Sequence, residues 1–123
     1  MAKHNELGTW GEQTAQARLL TEGHTILTTN YRYGKAEIDI IAKIGSDLVF
    51  VEVKTRTGSN FALPEAAVSA TKQKLILEAA TQYMYEAEYE DEFRFDIISI
   101  IVNKNNEITD YQHFIDAFFP GRL

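Results

Sequence analysis

Polar and hydrophobic residues near the N-terminus of the chain follow helical spacing. Glu12, Ala15 and Leu19 fall on one face at i, i+3 and i+7, which predicts a helix over residues 8–22. Gly23 suits the C-terminal cap of this helix, because glycine accepts the left-handed backbone that commonly ends a helix. Glu12 therefore lies on the side of the predicted helix that should pack inward.

A second helical pattern predicts a helix over residues 69–85. Ser69 suits its N-cap, since the hydroxyl accepts a hydrogen bond from a backbone N–H of the first turn. Pro64 is expected to open a short helical turn before it, and the acidic residues 86–92 to form its solvated end or a loop. The inward stripe of the helix consists of Ile76, Ala79, Ala80 and Tyr83.

Segments rich in β-branched and aromatic residues predict the strands. An edge strand is expected at residues 107–113, a short capping helix at residues 114–119 and a loop at residues 55–63. The four clearest strand patterns lie at residues 25–29, 37–43, 48–54 and 93–102.

The strand at residues 48–54 is apolar almost throughout, which indicates burial on both faces and a place in the centre of the sheet. The elements follow the order α-β-β-β-α-β, with a possible extra edge strand. We therefore expect a single α/β domain over residues 1–123, in which helices flank one mixed sheet.

Composition limits the chemistry that the chain can perform. It has 123 residues and no cysteine, which excludes disulfides, cysteine-based zinc sites and a thiol nucleophile. We expect a soluble cytoplasmic protein with no membrane partner, since no apolar run approaches the roughly 20 residues that span a bilayer. The net charge is −6, yet residues 30–74 hold seven basic and five acidic residues, so the centre of the chain is mildly basic.

Two acids and a lysine occupy strand positions where apolar residues would cost less free energy. Glu52 and Lys54 continue the apolar row of the third predicted strand, and Asp39 alternates with Ile38 and Ile40 in the second. If the two strands are neighbours, Asp39 and Glu52 come together, and a bound magnesium ion would remove their mutual repulsion. Lys54 would supply positive charge beside the metal, and the set suits phosphodiester hydrolysis.

Spacing alone leaves a second interpretation open. Glu52 and Lys54 would then form a surface ion pair on an edge strand, and Asp39 would be an ordinary acid at a strand end. An acid and a lysine two residues apart are common in proteins, so this pattern does not decide between the two.

Several stretches resemble the YraN family, bacterial proteins that are predicted to be endonucleases. The resemblance covers residues 8–102. It rests on Asn30, Tyr31 and Arg32, on residues 37–42 (EIDIIA) and on residues 49–56 (VFVEVKTR). It is supported by Gly11, Glu12 and Ala15 in the first helix and by Val68, Lys72, Ala79, Arg94, Phe95 and Asp96 later in the chain.

The family looks like a branch of the PD-(D/E)xK nuclease superfamily, which has a restriction-endonuclease-like core. The resemblance implies that Asp39 and Glu52 are metal ligands, that the backbone carbonyl of Val53 adds a ligand, and that Lys54 is the catalytic lysine. Glu12 resembles the extra helix acid of the Holliday-junction resolvases in this superfamily. The alternative for Glu12 is a glutamate in the first turn of its helix, where the helix dipole favours it.

The implied activity is cleavage of DNA, including branched or single-stranded DNA, with Mg²⁺ as the cofactor and Mn²⁺ as a substitute. The alternative is a non-catalytic module on the same fold that binds nucleic acid or recruits a partner. A branched substrate would favour a symmetric homodimer. The candidates for phosphate contacts are Arg32, Arg56, Lys72 and Lys74, for which solvated surface bases are the alternative.

The chain departs from the family pattern at Ala36 and Ala62, where the family has glycine. Both changes alter loop freedom near the site and bear on substrate fit. The three histidines, His4, His24 and His113, show no metal-ligand spacing and are interpreted as non-catalytic.

Overall fold

Two helices and five strands make up residues 2–58 and 68–119, the part of the chain that the computed structural model describes. The predictions for Pro64 and Ala62 lie outside these residues. In chain order the elements are α1 (Ala2–Thr21), β1 (Thr25–Tyr33), β2 (Ala36–Ile44), β3 (Asp47–Thr57), α2 (Ala70–Glu86), β4 (Phe93–Val102) and β5 (Ile108–Phe118).

The five strands form one mixed sheet in the order β1-β2-β3-β4-β5. Neighbouring strands are antiparallel except β3 and β4, which are parallel and are joined through α2. A parallel pair needs such a crossover, whereas antiparallel neighbours are joined by short turns. The predicted α/β class, the flanked mixed sheet and the extra edge strand are confirmed, and the arrangement is consistent with a restriction-endonuclease-like core.

The centre of the sheet separates two apolar clusters, one under each helix. On β3, Leu48 and Phe50 belong to the α2 side of the sheet, whereas Val49, Val51 and Val53 belong to the α1 side. This alternation follows from the pleat of a strand. The predicted central position of this strand and its burial on both faces are therefore confirmed.

Both predicted helix caps are present. Ser69 precedes α2, and its hydroxyl accepts a hydrogen bond from the Lys72 backbone N–H at 3.2 Å. Gly23 follows α1 with a φ of 96°, the left-handed backbone that the sequence indicated. The predicted inward stripe of α2 also holds, because Ile76, Ala79 and Ala80 are buried against the sheet.

The sheet is longer than the sequence predicted. Strand β1 runs on to Tyr33, because Tyr31 to Tyr33 pair with β2, and β3 continues through Thr57, so residues 55–57 are strand rather than loop. Thr55 and Thr57 pair with Ile100 and Val102 of β4. Pairing with residues distant in sequence therefore extends β1 and β3 beyond the residues whose own sequence pattern predicts a strand.

The predicted capping helix at residues 114–119 is wrong, because β5 continues as a strand to Phe118. Phe114 pairs with Ile97, and Phe118 pairs with Phe95 and stacks on its ring with centroids 5.3 Å apart. Pairing with a long buried neighbour and burial of two aromatic rings outweigh a local helical spacing in so short a segment.

Neither helix in the described part of the chain is long and apolar enough to cross a membrane.

The close approach of α1 to β3 depends on Gly11. A Cβ atom built there would lie 1.9 Å from Thr55 Oγ1 and 2.9 Å from Thr55 Cβ. We expect Gly11→Ala to lower the free energy of unfolding by about 1–3 kcal/mol, because overpacking forces the helix away from the strand. Urea denaturation would measure the loss.

Gly8→Ala is the matched control, since it lies in the same helix and its Cβ would meet nothing within 4 Å. Alanine there should raise stability by about 0.5–1 kcal/mol through helix propensity alone. Equal effects of the two substitutions would contradict the packing described for Gly11.

Candidate active site

The backbones of β2 and β3 separate where the two predicted acids lie. Their pairing runs from Ile44 opposite Asp47 to Ile40 opposite Val51, and one step further would set Asp39 opposite Glu52. At that point a side-chain hydrogen bond takes the place of backbone pairing between the two strands. Asp39 Oδ2 accepts it from the Val53 backbone N–H at 2.8 Å. The acids are thus held at a fork in the sheet.

The expected alternation along β2 is wrong around Asp39. Ile38 and Ile41 pack on the α2 side of the sheet, whereas Ile40 packs on the α1 side, so Ile38 and Ile40 do not share a face. The side of the sheet on which successive side chains lie therefore changes at Asp39, next to the last residue of β2 that pairs with β3. The sequence pattern assumed a regular pleat and could not show it.

Glu52 is nearly enclosed, with 6% of its side chain exposed. Ile38, Phe50 and Ile76 surround the same small void, so its immediate environment is largely apolar. A buried carboxylate requires a charged partner. That partner is Lys72, whose Nζ lies 2.5 Å from Glu52 Oε2 and whose side chain is 39% exposed.

The Asp39 carboxyl is the most perturbed acid of the site. Burial and the negative charge of Glu52 raise the pKa of Asp39 from 3.8 to about 8, and Glu12 adds to the rise. The Val53 N–H and Lys72 act in the opposite direction. The charge of Glu52 is therefore close enough to oppose the ionisation of Asp39, and a divalent cation between them would remove that repulsion.

Glu12 reaches this region from the middle of α1. Its Oε1 accepts a hydrogen bond from Asn30 Nδ2 at 3.0 Å, and the same amide nitrogen donates to Glu37 Oε2 at 3.0 Å. Because α1 begins at Ala2, Glu12 is not in the first helical turn, and the helix-dipole alternative is wrong.

Asn30 and Glu37 were not identified as site residues from the sequence. Asn30 has a φ of 52°, a left-handed conformation that asparagine tolerates better than most residues. An asparagine inside a strand pattern was the available signal, although it points to an irregular backbone rather than to the two carboxylates that it joins.

Lys54 takes no part in the ion pair of Glu52. Lys54 is half-buried on β3, and no ion pair to it occurs within residues 2–58 and 68–119. The alternative of an edge-strand ion pair between Glu52 and Lys54 is also wrong, because β3 is central and Glu52 pairs with Lys72.

The other candidate phosphate contacts are spread over three elements. Arg32 lies on edge strand β1, with its guanidinium 3.5 Å from Glu37. Arg56 is half-buried near the end of β3, and Lys74 is exposed in the first turns of α2. Ala36 begins β2 and pairs with Tyr33, and its buried methyl group packs in the apolar cluster on the α2 side of the sheet.

A cavity of about 610 Å³ lies elsewhere, where Leu7 and Trp10 of α1 meet Thr57 and the β4–β5 turn at Lys104. None of the paired acids lines it. We place the candidate site at the fork between β2 and β3, because the perturbed carboxyl and its charged neighbours lie there.

The five-stranded mixed sheet and its two helices make this an α/β protein whose arrangement is consistent with a restriction-endonuclease-like core. The family model described as "Uncharacterised protein family UPF0102" matches residues 11–100, and the chain belongs to this family. The UPF0102 family is YraN-like, so the resemblance to the YraN family is confirmed.

Relatives named only as UPF0102 proteins match over nearly their full length. One from Christiangramia forsetii is 46% identical over 119 residues, covering 97% of this chain and 98% of the relative. One from Bacteroides thetaiotaomicron is 44% identical over 120 residues, covering 98% of each. One from Chlorobium phaeobacteroides is 45% identical over 117 residues, covering 91% of this chain and 92% of the relative. None of these names states an activity.

Proposed function

We propose that the protein is a divalent-metal-dependent nuclease that hydrolyses phosphodiester bonds in DNA, with Asp39 and Glu52 as its carboxylate ligands. One observation carries the proposal. Two carboxylates from separating strands are held so close that burial and the charge of Glu52 raise the pKa of Asp39 to about 8. A carboxyl perturbed by burial together with a specific like charge is characteristic of a functional site.

The donor set of the fork fits magnesium. Each acid uses one oxygen in the contacts of the described residues, Asp39 Oδ2 with the Val53 N–H and Glu52 Oε2 with Lys72, which leaves Asp39 Oδ1 and Glu52 Oε1 for a cation. Within the described ranges, no group of three or more His, Asp or Glu side chains is arranged to hold a metal. Magnesium is commonly held by one or two carboxylates together with water and phosphate oxygens, so two suffice.

A metal bound there would act as a Lewis acid and lower the pKa of a bound water. The residues of the chain supply the rest. Asp39 and Glu52 would hold the cation at the fork, and the Val53 carbonyl is the proposed third protein ligand. Lys54, on the strand of Glu52, is the proposed group that orients the attacking water or stabilises charge on a phosphate oxygen. Glu12 adds negative charge on the α1 side of the site.

The expected result is Mg²⁺- or Mn²⁺-dependent cleavage of DNA by the purified protein. Linear, flapped, single-stranded and four-way-junction substrates would be incubated with the protein in either metal and in EDTA. Lys54→Ala should reduce the rate by about 100-fold or more, the usual range for loss of a group acting in proton transfer or charge stabilisation. Circular dichroism would show that this variant keeps its fold.

Absence of metal-dependent cleavage on every substrate in the panel would contradict the nuclease proposal. Cleavage by Lys54→Ala at the rate of the unaltered protein would contradict the role of the lysine alone. DNA binding that ignores both the metal and Asp39 would instead favour a non-catalytic binding module.

A further inference from the structure

Lys72 provides the cation that Glu52 contacts in the structure. Its ammonium lies 2.5 Å from a carboxylate with only 6% of its side chain exposed, at the position where the proposed function requires a metal ligand. The pair joins two elements distant in sequence, the central strand and the first turn of α2. Lys54, two residues from Glu52, makes no ion pair in the described part of the chain.

The position of Lys72 is not explained by the stability of α2. A positive charge in the first turn opposes the helix dipole, and the first turn of α2 contains no acid to offset it. The favourable interaction of Lys72 is therefore with Glu52, across the site. A side chain that destabilises its own helix and pairs with an acid of the site is placed for a role in the site.

The two partners differ in how easily they can leave the pair. Lys72 is 39% exposed on a flexible stem, so water can solvate its ammonium once it moves. Glu52 stands on a central strand among apolar side chains and cannot follow. When the pair opens, Glu52 is left needing another cation, while Lys72 is free for an anion.

We infer that Lys72 holds the place of the metal on Glu52, leaves when a divalent cation binds, and is then available to a phosphate of the substrate. This rests on the proposed function, and it adds to the phosphate contact expected of Lys72 a new role, that of the cation which the metal displaces from Glu52. Metal binding and capture of a polyanion are thereby coupled. The Lys72 ammonium pairs with Glu52 before the metal binds, and it becomes available to a substrate phosphate afterwards.

Metal affinity of full-length variants tests the inference, with Mn²⁺ as the probe in calorimetry. Lys72→Gln should bind Mn²⁺ about tenfold more tightly than the unaltered protein, because no ammonium has to be displaced; such a change corresponds to about 1.4 kcal/mol. Its melting temperature without metal should fall by roughly 5 °C, since Glu52 loses its partner, and Mn²⁺ should restore it. Lys104→Gln, an exposed lysine in the β4–β5 turn, controls for the change in net charge.

A second measurement needs no variant that weakens the fold. Lysine labelled with ¹³C at Cε would be followed by NMR during a Mg²⁺ titration, with Lys72→Arg assigning the resonance. The Lys72 signal should shift at the metal concentrations that saturate the site, and the Lys104 signal should not.

Three results are decisive in different ways. Unaltered protein that binds neither metal overturns both the proposed function and this inference. Metal binding with equal affinity in the unaltered protein and Lys72→Gln, or a static Lys72 resonance, overturns the inference alone. Tighter binding by Lys72→Gln together with a shifted Lys72 resonance supports it.

Discussion

Asp39→Asn should abolish metal-dependent DNA cleavage and, in EDTA, make the protein more stable than the unaltered chain at pH 9. The amide keeps the shape of the side chain and an oxygen that accepts the Val53 N–H, so the fold is retained. It removes a negative charge that a cation would require. Loss of a metal ligand should lower the cleavage rate by about 1,000-fold or more, a few kcal/mol in transition-state stabilisation.

The stability effect has a defined pH window. Below about pH 4 the Asp39 carboxyl is protonated in both the folded and the unfolded chain. Between about pH 4 and pH 8 the unfolded chain ionises while the folded chain keeps its proton, because burial and Glu52 raise the pKa of Asp39 to about 8. The folded state then binds more protons, so the contribution of Asp39 to stability falls as pH rises through this window and levels off above it.

Urea denaturation of both proteins in EDTA at pH 5, 7 and 9 measures this difference. We expect Asp39→Asn to gain stability relative to the unaltered chain as pH rises, reaching on the order of a few kcal/mol at pH 9. Asp91→Asn, an exposed acid in the turn before β4, should show neither this trend nor a loss of cleavage. Parallel pH profiles for Asp39→Asn and the unaltered chain would show that the carboxyl is not perturbed as described.

The parts of the site that could be predicted from sequence are those with a local signal. An apolar run placed β3 at the centre of the sheet, and the acids at Asp39 and Glu52 stood out because they interrupt apolar strands. The inward direction of Glu12 followed from helical spacing with Ala15 and Leu19. Each of these inferences uses residues within one element.

The remaining features depend on contacts between elements. The ion pair between Lys72 and Glu52 joins α2 to β3, and no spacing rule connects residues 20 positions apart. The fork at Asp39 breaks the period of two on which strand patterns rest. The strand conformation of residues 114–118 follows from pairing with β4, which outweighs local preference.

Asp96 belongs to the stretch that resembles the family, and in the structure it is the centre of a buried hydrogen-bond network between β4 and β5. It entered the sequence argument only within the family motif, together with Arg94 and Phe95. In the structure its carboxylate is completely buried and accepts hydrogen bonds from His113 Nε2 at 2.8 Å, Arg94 Nε at 3.0 Å and the Asp116 backbone N–H at 2.9 Å. Asp116 has a φ of 56°, so this bond fixes an irregular point in β5.

Asp96→Ala should lower the free energy of unfolding at pH 7 by about 3–5 kcal/mol, the usual loss when one partner of a buried charged network is removed. Arg94 would keep only Asp47, and the Asp116 N–H would lose its acceptor. That is a large share of the roughly 5–15 kcal/mol that stabilises a small domain. Urea denaturation measures the loss, and Asp96→Asn, which keeps the shape and one acceptor, should recover part of it.

The pH dependence separates the charge of Asp96 from its packing. Burial alone would raise the pKa of Asp96, but the hydrogen bonds from His113, Arg94 and the Asp116 N–H outweigh it and hold the pKa below its ordinary value of 3.8. The stability that the charge contributes is therefore present above about pH 4 and is lost as pH falls through the lowered pKa.

Asp110→Ala, which removes only a side-chain hydrogen bond from Gln112, should cost about 1 kcal/mol. A loss for Asp96→Ala no larger than that of Asp110→Ala would show that the network does not stabilise the β4–β5 edge.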